Sequence, residues 1–458
     1  MNALLKNIVR TWTNNLEGLY KPASLYPLVA LRIAFGFTMA AWGVLMILTG
    51  RVSEVFSRQV MHFPYEGLEW MRPLPFWGMI MVFLLISVSA LMLAAGWFFR
   101  IAASTFTLLF AYVSFIDKAS YLSYYYLVML LAVMLIFSPA HRLFSIDLIR
   151  KPTLRVDFAP RWLLLVFKVQ VIMVFFFAGM AKLNSDWLYS GIPVSLWLQD
   201  IAAQAGFNSA IIANNGWLAI SLSWLLVIFD FILPHFLLDP KTSTRAFWAV
   251  VMVQILGMIL LPTGIFPLLI VLSCTIFLPA EKIHRVASGV SYFLYDVFQF
   301  KADVFKPGGS YMLAYRYKRL FPIIAMLFLS AQVMLPVGMY LKMGSIQWAD
   351  TAFHFSWDVR INHHKNSVAF YKVDRKTGSS EPIAIDQYLT PIQQQRLAED
   401  PIMVKSFIHQ LKSKPELRIS QDALEIEALS CTSVNGRQAD CITYTDETLS
   451  LLGNSGYE

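Results

Sequence analysis

Long apolar runs recur along the first three quarters of the chain, at about 26–49, 76–99, 101–116, 121–138, 162–181, 216–238, 246–262, 264–279 and 320–341. A helix that crosses a bilayer needs about 20 apolar residues, usually within about 17–25. The run at 101–116 is short, and the 246–279 pair is divided around Pro262-Thr263-Gly264. The pattern predicts about nine transmembrane helices, with about eight as the alternative count.

From Phe353 onward the pattern turns soluble. Val368 to Val373 alternates β-branched and aromatic residues and predicts a strand; Asp374 to Ser379 predicts a turn, and Glu381 to Ile385 a returning strand. Thr390 before Pro391 predicts a helix N-cap with proline in the first turn, the helix running to about Ala398. A second helix is expected over about 402–411, and Glu427 to Ser433 with Cys441 to Tyr444 flank the hairpin pair Asn435-Gly436. The expected fold is an all-α polytopic membrane bundle with a small C-terminal α+β extramembrane domain. The expected divisions are an amphipathic N-terminal segment at 1–20, a transmembrane domain at 21–345 and the extramembrane domain at 346–458.

Composition agrees with a membrane protein. Of 458 residues, 57% are hydrophobic and 14% charged, where soluble domains are nearer ~45–50% and ~25%. A net charge of +8 would point to nucleic acid in a soluble protein. Here the basic excess sits in a few loops, among them Arg142, Arg150, Lys151, Arg155 and Arg161, and the positive-inside rule accounts for it without a nucleic-acid partner. With these loops cytoplasmic, the N-terminus is expected inside and the C-terminal domain outside. Met1 to Tyr20 has no compact apolar core or small-residue cleavage site, so it is not read as a signal peptide. An integral protein of a bacterial inner membrane is the expected setting. The three cysteines have no zinc spacing; Cys431 and Cys441 can pair if the tail faces an oxidising compartment.

Ionisable groups inside apolar runs narrow the search for chemistry. Lys182 ends the stretch from Leu163 to Ala181. It either snorkels to the headgroups or sits in a polar pocket, where desolvation can make an amine a usable base. Arg32 lies deep in the first run, and an ion pair with Asp230 in the sixth is the expected solution. Asp117-Lys118, followed by Tyr121, Tyr124, Tyr125 and Tyr126, is read either as a charged turn with an aromatic belt or as one wall of a pocket facing Lys182. His354, Asp358, Arg360, His363 and His364 cluster after the last run and are expected to rim such a pocket; no metal site is expected from them.

The motif Phe177-Ala178-Gly179-Met180-Ala181-Lys182-Leu183-Asn184-Ser185-Asp186-Trp187 resembles the vitamin K-dependent gamma-glutamyl carboxylase family. So do Asp117 to Tyr121, Pro139 to Asp147, Gly264-Ile265-Phe266-Pro267, Phe355 to Asp358 and Tyr371 to Gly378, in family order. The chain reads as a short, bacterial-type homologue. The resemblance implies a membrane enzyme that oxygenates reduced vitamin K, or a related quinol, and uses O2 and CO2 to carboxylate glutamate in a protein or peptide. It implies that Lys182 is the base that takes the hydroquinone proton. It places Asp117, Tyr124, Gln254 and Trp187 around the quinol, and Asn184, Asp186, His354, Trp357, Asp358 and Arg360 toward the glutamyl substrate.

The chain departs from the family pattern in two motifs. Tyr124 stands where the family has a histidine, and Gln254 and Gly257 stand where it has a histidine and an asparagine. Tyrosine and glutamine can donate hydrogen bonds but exchange protons poorly near neutral pH. Three readings therefore remain: a complete carboxylase, a quinol-oxidising or epoxidising relative that does not carboxylate peptides, and a non-catalytic membrane binding or scaffold protein. The oligomeric state is not legible.

Overall fold

The computed structural model describes residues 17–445 and residue 448, apart from 58–60, 66, 205–215, 261–263, 299–308, 312–319, 343–363, 375–378 and 413–423. Residues 1–16 of the amphipathic segment expected at 1–20 and the His354–His364 cluster before residue 364 therefore lie outside the described residues.

The membrane body is helical: α1 (Tyr26–Leu48), α2 (Phe76–Ala95), α3 (Phe99–Phe115), α4 (Ser123–Phe137), α5 (Arg161–Ala181), α6 (Ile192–Gln204), α7 (Gly216–Leu238), α8 (Ser243–Leu260), α9 (Phe266–Cys274), α10 (Ala280–Phe298) and α11 (Leu320–Lys342). The nine-crossing expectation is corrected. Among the described residues five helices, α1, α2, α5, α7 and α11, are long and apolar enough to span a membrane. The count becomes six if the α9–α10 pair, bent by 104°, forms one broken span. Hydropathy does not distinguish apolar residues facing lipid from those buried in protein. With 17 and 15 residues, α3 and α4 reach only about 25 and 22 Å against a hydrocarbon core of about 30 Å. Pro279 marks the break between α9 and α10, where a ring without an N–H ends the helical ladder.

The tightest helix pair is α1 with α2. A Cβ on Gly36 would lie 2.5 Å from the Ala90 carbonyl, and one on Gly43 would lie 2.3 Å from Ser87 Oγ. Small residues on facing helices let the backbones meet, which is how helices gain packing in lipid. Arg32, wholly buried on α1, does not pair with Asp230. Its guanidinium donates to the carbonyls of Ala140 at 2.7 Å, Leu143 at 3.3 Å and Phe144. These oxygens belong to the irregular turn after α4, so a planar fork of donors satisfies several acceptors at once.

A short sheet, β1 (Pro22–Ser24), β2 (Val156–Pro160) and β3 (Gly309–Ser310), lies at the end of α5 away from Lys182. The C-terminal module holds β4 (His364–Asp374), β5 (Ser380–Ile383), α12 (Pro391–Leu397), α13 (Pro401–Lys412), β6 (Leu424–Val434) and β7 (Asp440–Tyr444). Its sheet has the order β5-β4-β6-β7 with every pairing antiparallel. Thr390 caps α12 in a reciprocal box with Gln393, and α13 buries Met403, Val404, Phe407 and Leu411. Asn435 and Gly436, at φ 54° and 72°, make the tight turn between β6 and β7, where Cys431 pairs with Cys441. Met61, Phe63 and Ala119 of the membrane body share the module's apolar core with Phe370, Leu397 and Phe407.

Candidate functional site

Lys182 is the C-cap of α5, and its backbone N–H turns to Gly179 rather than to Ala178. That leaves the Ala178 carbonyl for the lysine's own side chain, and Nζ donates to it at 2.9 Å. Carbonyls at a helix C-terminus carry partial negative charge, so the end of α5 favours an ammonium there. The second partner is Asp230, with Nζ 2.6 Å from Oδ2. A third contact is aromatic: Nζ lies 5.7 Å from the centroid of the Trp187 ring, which is 1% exposed.

The depth of this cluster is set by α7. Asp230 is 14 residues beyond the helix start at Gly216, or about 21 Å along the axis. It sits on the buried stripe formed by Ala219, Ser223, Val227, Asp230, Pro234 and Leu237. The chain after Lys182 then climbs α7 toward its start. Trp224 Nε1 donates to Leu188 O at 2.9 Å, and Gly191 lies against Ala219 and Ile220. Ten residues separate Ile220 from Asp230, which places the ion pair about 15 Å below this contact. Lys182 is therefore recessed beneath a roof of a single π-helical turn (Asp186–Ser190) and α6.

Specific contacts hold the roof. Asn184 Nδ2 donates to Ala181 O at 3.0 Å, and its Oδ1 accepts from Trp187 N at 3.1 Å. Trp187 packs edge-on against Trp197. Gly191 has φ +57°, and a Cβ there would sit 2.7 Å from Ile220 N, so a side chain would both strain the turn and strike the α7 backbone. Met180 and Leu183, on either side of Lys182, are exposed on the apolar exterior.

Asp117 is buried beneath the C-terminal module. Its carboxylate accepts from Phe63 N at 3.1 Å, Ala119 N at 3.2 Å and Ser120 Oγ at 2.9 Å. Burial pushes this carboxyl above its ordinary range, against the pull of those donors and of His62. Burial lowers the neighbouring His62 imidazole, with Asp117 opposing the shift. The described contacts of Asp117 do not include Lys182.

Tyr124 stands elsewhere on the body. Its hydroxyl oxygen lies 3.4 Å from the position of a Cβ on Gly264, and its ring is 6.3 Å from that of Phe266. Two sequence motifs distant in the chain thus meet. Gln254 is half-buried on α8. His354, Trp357, Asp358 and Arg360 fall outside the described residues. Among the described residues, no three His, Cys, Asp or Glu side chains converge as metal ligands.

The sequence signals bring Lys182, Asn184, Asp186 and Trp187 into one structure but do not identify Asp230 as the partner of Lys182. The available clue was that Asp230 is the one acidic residue in the apolar run at 216–238. Arg437 and Asn435, which bind Asp186 from the C-terminal module, also gave no sequence signal beyond a hairpin turn.

Residues 20–281 match the HTTM domain model, and residues 317–455 match the vitamin K-dependent gamma-carboxylase lumenal domain. No solved structure matches the chain.

Proposed function

The chain belongs to the HTTM-domain family that carries a vitamin K-dependent gamma-carboxylase lumenal domain, and from that premise we propose that it oxygenates a reduced quinone and couples this to carboxylation of protein glutamate. The observation that carries the reading is the recessed Lys182–Asp230 pair, with Nζ and Oδ2 2.6 Å apart under Trp187. An ammonium facing a carboxylate at this distance donates a charge-assisted hydrogen bond to it. The pair as a unit can accept a second proton, which a phenolic hydroxyl would supply. For Lys182 to act as the base, the bonded proton passes to Asp230, which frees the Nζ lone pair to take the phenolic proton while Asp230 holds the displaced one. The net-neutral pair tolerates a poorly hydrated site better than an isolated charge would.

Reduced vitamin K, or a related quinol, supplies on oxygenation the strong base that glutamate deprotonation requires, and CO2 then forms the new carboxyl group. The residues of this chain bind, orient and shield. Met180 and Leu183 offer an apolar approach from the bilayer, suited to an isoprenoid quinone. Trp187 covers the amine and limits water, which protects reactive species. Asp117, Tyr124 and Gln254 remain candidates for the quinol side. Asn184 and Asp186, with His354, Trp357, Asp358 and Arg360, remain candidates for the glutamyl side. The module would face the extracytoplasmic side of a bacterial inner membrane, with the N-terminus inside.

A second reading rests on Tyr124. Its hydroxyl beside Gly264 stands where the family pattern has an imidazole, which favours quinol oxidation or epoxidation without peptide carboxylation. One assay separates the two. Purified protein is incubated with reduced vitamin K, labelled bicarbonate and a glutamate-containing peptide, and epoxide and peptide label are scored separately. Both products support the coupled reaction. Epoxide without label supports the second reading, and neither product across several quinols and peptides contradicts both and returns the scaffold alternative.

A further inference from the structure

The β6–β7 hairpin is a short ribbon whose end is tied twice. Cys431 and Cys441 sit opposite one another in register and are joined by a disulfide. The turn itself takes positive φ at both Asn435 and Gly436, a geometry that fixes the direction of the flanking side chains. From this end two donors leave the module and reach a single carboxylate of the membrane body. Asn435 Nδ2 lies 2.7 Å from Asp186 Oδ2, and a terminal nitrogen of Arg437 lies 2.6 Å from Asp186 Oδ1. Both oxygens of Asp186 are thus held from the module. Gly436 meanwhile rests against Leu196 of α6.

Asp186 opens the π-helical turn, and the next residue is Trp187, whose ring covers Lys182 Nζ. Asn184 holds the Trp187 backbone from the side of α5. Asp186, its neighbour in the chain, is held from the side of the module. We infer that Arg437 and Asn435 are positioning residues for Lys182: by gripping Asp186 they keep Trp187 seated over the amine, so that docking of the C-terminal module closes the recess. This rests on the proposed reading of Lys182 as the reactive group, but the closure itself is independent of any turnover. A carboxylate held by two charged or polar donors is strongly oriented, because charge-assisted bonds are shorter and stronger than neutral ones. Loss of the grip frees the turn at its domain-facing end, while Asn184 and the Trp224–Leu188 bond still hold its other side.

The test reads the accessibility of Lys182 in the full chain. Purified protein in lipid nanodiscs is treated with phenyl isothiocyanate, an apolar reagent for neutral amines, and modification is measured lysine by lysine by mass spectrometry. Lys241, exposed in a loop at the opposite end of α7, serves as the internal standard. Arg437→Glu is expected to raise Lys182 labelling severalfold with Lys241 unchanged. Arg437→Lys, which keeps a cation for Asp186, is expected to stay near the unmodified protein. The exchange Asp186→Arg with Arg437→Glu is expected to return labelling to that level, since Asn435 can present its carbonyl oxygen to the new guanidinium. Wild-type labelling in Arg437→Glu overturns the inference, as does a rise that the exchange fails to reverse. Where Arg437→Glu labels every lysine, as an unfolded chain does, Arg437→Gln takes its place under the same two outcomes. A chain that labels as expected but forms no quinone epoxide keeps the latch and counts against the proposed reaction alone.

Discussion

Lys182 and Asp230 lie 48 positions apart in the chain and meet at 2.6 Å, well below the end of α7 that bears the roof. The contact converts what the sequence presents as a lysine at a helix end into one half of an embedded ion pair. It also reassigns Asp230, because the two terminal nitrogens of Arg32 go instead to the carbonyls of Ala140, Leu143 and Phe144.

Breaking the pair from one side should be more harmful than deleting it. Asp230→Asn leaves the ammonium without its counter-charge, and a loss of about 3–5 kcal/mol of stability is expected. The apolar double variant Lys182→Met with Asp230→Leu should recover most of that loss while removing any proton-transfer capacity. Thermal unfolding of the three proteins in one detergent checks the ordering. A double variant less stable than Asp230→Asn would contradict it.

Arg32→Lys keeps the charge but not the fork. One ammonium cannot reproduce the bonds that a planar guanidinium makes to three carbonyls, and a cost of about 1–3 kcal/mol follows. The same unfolding measurement applies; an unchanged midpoint would show that the carbonyls find other donors.

Gly191→Ala should loosen the roof. The residue has φ +57°, and the added carbon would lie 2.7 Å from Ile220 N. The left-handed conformation alone costs an L-residue roughly 1–2 kcal/mol, before any backbone shift. Unfolding at lower temperature is expected, together with faster modification of Lys182 by an apolar amine reagent. Unchanged values of both would mean that the turn relaxes freely.

His141 supplies a pH dependence. Burial lowers its pKa to about 4, with Arg100 and Arg142 acting in the same direction, and the ring stacks on Phe99. An unfolded histidine titrates near ~6.5. Between these values the unfolded chain binds the proton and the folded chain does not, so stability is lost as pH falls from the higher value toward the lower. The loss is on the order of 3 kcal/mol across that window. Midpoints measured from pH 7.5 to 4.5 should fall, and His141→Phe, which keeps the stack, should flatten the slope. A slope unaltered by the substitution would assign the acid sensitivity to other groups.

The C-terminal module was legible because its signals are local. Period-two alternation marks β4, Thr390-Pro391 marks the start of α12, and Asn435-Gly436 marks the hairpin; all three appear where expected, with β4 and β6 longer than the alternation alone indicated. The number of crossings was not legible. The apolar runs at α3 and α4 read like spans, but residues such as Phe106, Phe110, Leu127 and Leu131 are buried within the protein, and hydropathy scores both settings alike. Lys182 was legible as a candidate and Asp230 as an embedded acid. Their pairing was not, because it depends on how far the chain descends before turning up along α7, a depth set by the Gly191–Ile220 and Leu188–Trp224 contacts.

The proposed base chemistry is tested most directly by quinone epoxide formation in the unmodified protein, Lys182→Ala and Asp230→Asn, each shown to be folded and supplied with reduced vitamin K and oxygen. Removing a positioned general base typically costs about 10²–10⁴-fold in rate. A loss of that size is expected for Lys182→Ala, with a substantial loss for Asp230→Asn. Epoxide formed by Lys182→Ala at the rate of the unmodified protein would contradict it.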